Sequence, residues 1–179
     1  MSEELPFAVS SRPWEQLSEY DRCFFCGDHY LPLHPHHAAQ IRLLNGDDAR
    51  RLSSWVWSII PPGWPDQPEC NFEHEAVLNI MGRSWGDEAT QVAVRRWLYE
   101  RGIPFRRTVY LLYEPHRVVQ TTWRMVVRYW DAFAWSVGFA MVAVDHTLRW
   151  AVCFHHEDVF VFGSHQGLCL CRPAASKRG

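Results

Sequence analysis

Apolar residues recur at three- and four-residue steps in some stretches of this chain and at alternate positions in others, and the change of period divides it into elements. Ala89, Val92, Ala93, Trp97 and Leu98 form one helical stripe, with Asp87 placed to cap it and Gly102 and Pro104 placed to end it. An earlier helix is predicted from Asp48 to Trp57, after the cap-competent Asn45-Gly46-Asp47 and before Pro61-Pro62-Gly63-Trp64-Pro65. Phe105, Val109, Leu111 and Tyr113 alternate with Arg106, Thr108, Tyr110 and Leu112, which predicts a strand with one strongly apolar face, closed by Pro115. Val119, Trp123, Val126, Val127, Trp130 and Phe133 return to helical steps and predict a helix over 118–133. Three apolar runs at 139–144, 148–154 and 159–162 then alternate with Asp145-His146-Thr147 and His155-His156-Glu157-Asp158. The expected class is α+β, with helices packed against a mainly antiparallel sheet that ends in a three-stranded meander. Residues 1–46, rich in proline and without a clear period, are expected to be a loop-rich Cys/His arm. Residues 47–172 are expected to be a single α+β domain, and 173–179 a frayed tail.

Composition narrows the partners. The 179 residues carry 18 Lys+Arg against 20 Asp+Glu, a formal net charge of -2, and 47% of them are hydrophobic. A chain of that kind can bury a core and has no overall basic footprint for nucleic acid, which is therefore not expected as a partner. The start Met1-Ser2-Glu3-Glu4-Leu5-Pro6 has no basic region followed by an apolar one. The apolar stretch at 133–144 is broken by Ser136 and Gly138 and is shorter than the roughly 20 residues that span a bilayer. No membrane segment and a cytoplasmic site are expected, so the six cysteines read as thiols or metal ligands rather than disulfides. Ten tryptophans supply either core or contact anchors.

The chemistry concentrates near the N-terminus. Cys23-Phe24-Phe25-Cys26-Gly27 is a Cys-x-x-Cys knuckle followed by His34, His36 and His37, and thiolates and imidazoles at short spacing suit tetrahedral zinc. The competing reading is a pair of part-buried thiols and exposed histidines on a proline-rich loop. The same stretch resembles the start of HNH-type metal-dependent endonucleases, in which His36 or His37 would be the base and Asn45 and His74 the remaining candidates. Cys70-Asn71-Phe72-Glu73-His74-Glu75 is expected to be an exposed helix start with acidic residues at its N-terminal dipole. His155-Glu157 contains His-x-Glu, but no Pro-Cys-x-x-Cys follows it, so a zinc deaminase is not indicated. No Gly-rich phosphate loop, Gly-x-Ser-x-Gly elbow or His-Glu-x-x-His is present.

From Tyr110 to Gly163 the chain runs through Thr121-Thr122-Trp123-Arg124-Met125-Val126-Val127-Arg128-Tyr129-Trp130, Leu148-Arg149-Trp150-Ala151-Val152 and Phe154-His155-His156-Glu157-Asp158-Val159-Phe160. This aromatic meander with an acidic turn resembles small bacterial toxin-immunity and antitoxin proteins. The resemblance implies a compact α+β domain that binds another protein, a toxin, and occludes its active site without catalysis of its own. On that reading Trp64, His155, His156, Glu157 and Asp158 are the expected contact residues, and zinc held by Cys23, Cys26, His34, His36 and His37 is the alternative.

Overall fold

In the computed structural model, residues 5–22, 31–60, 64–65, 72–135, 140–155 and 157–165 are described. The strands are β1 (Ser11–Pro13), β2 (Arg42–Leu44), β3 (Phe72–Asn79), β4 (Thr108–Glu114), β5 (Arg117–Thr122), β6 (Met141–Val144), β7 (Trp150–His155) and β8 (Val159–His165). The helices are α1 (Glu19–Arg22), α2 (Pro35–Ala38), α3 (Gly46–Trp57), α4 (Glu88–Tyr99), α5 (Trp123–Arg128) and α6 (Trp130–Trp135). The strands form one sheet in the order β1-β2-β5-β4-β6-β7-β8-β3, antiparallel at every pairing. The α+β class holds, with eight strands and six α-helices among the described residues. β3 lies beyond β8 and closes the sheet on that side.

Both faces of the sheet are buried, which follows from the period of two. Val109, Leu111, Met141, Ala143, Trp150, Val152, Phe160 and Phe162 face one way and meet Val94, Trp97 and Leu98 of α4, Trp123 and Val126 of α5, and Trp130 and Phe133 of α6. Their neighbours Tyr110, Leu112, Val142, Val144, Ala151, Cys153 and Val161 face the other way and meet Ala49, Leu52 and Val56 of α3. The strand expected to have one apolar face is therefore apolar on two. Among the described residues no helix is long and apolar enough to cross a membrane.

α4 begins where the sequence places it, with the Asp87 carboxylate accepting from the Thr90 amide at 3.2 Å. It ends before Gly102, whose φ of +70° is the left-handed turn that glycine allows without strain. The helix expected over 118–133 is corrected. Glu114 pairs with Arg117 across a tight turn through Pro115, so 117–122 runs back as β5. The helical backbone starts only at Trp123 and restarts at Trp130. The β-branched Val118, Val119, Thr121 and Thr122 favour the extended state, and the hairpin partner decides it. The helix start expected near Glu73 is also corrected, because 72–79 is β3. In the N-terminal segment expected to be loop, β1 and β2 add two short strands to the sheet beside β5.

Candidate functional site

The metal candidates are only partly within view, because Cys23 and Cys26 lie outside the described residues. His34, His36 and His37 sit on or beside the single turn of α2, which Pro35 starts and the His34 ring caps by accepting from the His36 amide at 3.3 Å. The ring centroids of His34 and His36 are 5.1 Å apart, and those of His34 and His37 are 5.8 Å apart. His37 Nδ1 lies 2.8 Å from the Tyr129 hydroxyl. Loss of water contact, then the charges of Arg128, His34, Arg124 and His36, lower its pKa from 6.5. Among the described residues no three His, Cys, Asp or Glu side chains are grouped to hold a metal ion.

The other expected residues divide. Asn45 precedes α3 next to β2, whereas His74 lies on β3, six strand positions away across the sheet. At about 4.8 Å per strand that is roughly 29 Å along the sheet, so His74 does not join the α2 histidines beside β2. Trp64 is 4% exposed and packs edge-on against Phe72 at 5.2 Å, so it belongs to the core under α3 rather than to an open surface. Asp158 turns the chain with a φ of 59°, accepts from the Trp85 indole at 2.7 Å and, through its carbonyl, from the Ile80 amide at 2.9 Å. It fastens β3 to the β7–β8 turn. His155 caps the same turn by accepting from the Glu157 amide at 3.3 Å, Glu157 is exposed, and His156 lies outside the described residues.

Two openings flank α4. On the flank toward β3, Leu78, Ala89, Val92, Ala93 and Trp97 line an open groove of about 810 Å³, rimmed by Asp87, Glu88 and the Arg96–Glu100 ion pair. Val92 on α4 is 55% exposed beside it, and Val77, equally exposed, lies on the opposite face of β3 from Leu78. On the flank toward α5, Arg95, Arg124 and Arg128 line a second cavity of about 320 Å³ with Leu31, Phe105 and Val127. The N-terminus of α5 fixes that wall, because the Trp123 and Arg124 amides donate to the Arg107 and Phe105 carbonyls at 2.9 and 3.0 Å.

Gln91 braces Arg95 behind this second cavity. Its amide donates to the Trp85 carbonyl at 2.7 Å and to Asp131 at 2.9 Å, and its oxygen accepts from Arg95 at 2.9 Å. Burial raises the pKa of Asp131, against the opposing effects of the Ala132 amide, Gln91 and Arg95. Neither flank stood out in the sequence. The one local signal for the basic cavity is the spacing of Arg124 and Arg128, four residues apart and hence on one face of a helix.

Fold and site together define a mixed α+β protein with a three-layer core, an open-edged groove and an arginine-lined cavity. No protein-family model, curated protein or solved structure matches the chain.

Proposed function

We propose that this chain is a non-catalytic binding domain that holds a partner protein by contact, as the toxin-immunity proteins it resembles do, and that it acts in the cytoplasm. The observation that carries the reading is the open groove beside β3. Among the described residues β3 ends the sheet, and a strand so placed offers its outer backbone groups to an extended segment, with the neighbouring Leu78, Val92 and Trp97 as apolar seats for its alternate side chains. Asp87 and Glu88 at the rim favour a segment that carries a basic residue there. The contact moves accordingly from Trp64 and the 155–158 turn to the β3–α4 flank.

A photo-crosslinking residue placed at Val77 or Val92, in cells that make the chain, is expected to capture the same protein from both positions. The same residue at Arg50, on α3 across the sheet, is expected to capture none of it. Equal capture from Arg50, or none from Val77 and Val92, would sink the reading.

The closeness of the His34 ring to those of His36 and His37 favours a second reading, a zinc site in which Cys23 and Cys26 join one or two of these imidazoles. Elemental analysis of the purified chain is then expected to find about one zinc, absent from the Cys23→Ser, Cys26→Ser double variant. Background zinc in the unaltered chain removes this reading.

A further inference from the structure

The cavity between α4 and α5 brings together three guanidiniums, of which Arg95 lies in the field of the buried Asp131 carboxylate that Gln91 also holds. Arg95, Arg124 and Arg128 line it together, and none of the three forms an ion pair with a described carboxylate. The Arg95 guanidinium is held from behind by Gln91, yet its Nε is buried and has no hydrogen-bond acceptor among the described residues. A buried donor left unpaired is costly, and the exposed Arg124 and Arg128 add two cations at the same opening, so the arrangement favours an anion there. The remaining wall is apolar, with Phe105 43% exposed and Leu31 38% exposed.

We propose that this cavity binds a phosphate monoester, the phosphate between Arg95, Arg124 and Arg128 and the organic group against Leu31, Phe105 and Val127. A phosphate dianion matches three guanidiniums better than a single carboxylate does, and its oxygens accept the paired N–H donors that arginine presents. The volume of about 320 Å³ suits a small organic ligand rather than a bare ion. The field of Arg124 and Arg128 that disfavours protonated His37 also favours an anion here over a cation. The site lies on the opposite flank of α4 from the groove, so it stands or falls independently of partner binding.

Phenyl phosphate titrated calorimetrically into the full chain at low salt is expected to bind at least tenfold more tightly than inorganic phosphate or benzoate. The Arg124→Gln, Arg128→Gln double variant, which alters two exposed side chains, is expected to weaken it at least tenfold with Tm unchanged. Arg50→Gln, across the sheet, is expected to leave it unaltered. Adenosine 5′-monophosphate and phosphotyrosine represent the two sources of such a group, and tighter binding of either supports the site and identifies its source. No binding of phenyl phosphate overturns the proposal, as does equal binding of benzoate or inorganic phosphate, or binding that survives the double variant.

Discussion

Replacing Trp130 with alanine is expected to cost about 3–5 kcal/mol, the range for emptying a large aromatic from a packed core. Trp130 is fully buried, 5.0 Å from Trp85 and 5.5 Å from Phe160 between ring centroids, so its ring joins α6 to β8. Its loss opens a cavity where the helix layer meets the sheet. In urea unfolding the midpoint is expected to fall by on the order of 1–2 M. Trp130→Phe provides the contrast, because it keeps an aromatic ring and removes a buried indole N–H that has no acceptor among the described residues. It is expected to cost much less than the alanine variant. A loss below about 1 kcal/mol for Trp130→Ala would mean that this junction does not hold the layers together.

The second large effect is electrostatic. Asp145, 3% exposed in the β6–β7 turn, accepts from the Thr147 amide at 2.9 Å, from the Thr147 hydroxyl and from the Trp150 indole at 3.2 Å, and it lies 3.7 Å from Arg107. Asp145→Ala strands the indole and leaves a part-buried guanidinium without its anion, at an expected cost of about 3–5 kcal/mol. Asp145→Asn keeps the shape and one acceptor oxygen and is expected to cost less. A double-mutant cycle with Arg107→Ala measures the pair directly. Additivity in that cycle would show that Asp145 acts through the turn and Trp150 alone, not through Arg107.

The elements that were legible in the sequence are those whose signals are local. α4 carries its own cap, stripe and stop. The runs that became β6, β7 and β8 are bounded by polar turns. β3 was not legible because it breaks its own period. Phe72 faces α3, but Ala76 and Leu78, also at even positions, face α4, since the extra residue Glu75 shifts the register between His74 and Ala76. A strand that changes faces midway shows no consistent alternation. β5 was misread for a related reason, because a strand of β-branched residues running straight into a helix keeps enough apolar spacing to imitate one longer helix. The arginine cavity draws from the segment before α2, from α4, from the loop before β4 and from α5. No window of the chain contains it.

The strand order also constrains how the chain assembles as it is synthesised. β4 to β8 lie next to one another in the sheet and in the chain, joined by short reversals except where α5 and α6 intervene, so they can pair as soon as each is made. β2 must wait for β5, and β3 must wait for β8, with Phe72 meeting His165 from 93 positions away in the chain. Closing such distant pairs is the entropically slow part of forming a sheet. The edge strand beside the groove is therefore left until last, and a chain cut before Val159 keeps the residues of β3 but nothing for them to pair with.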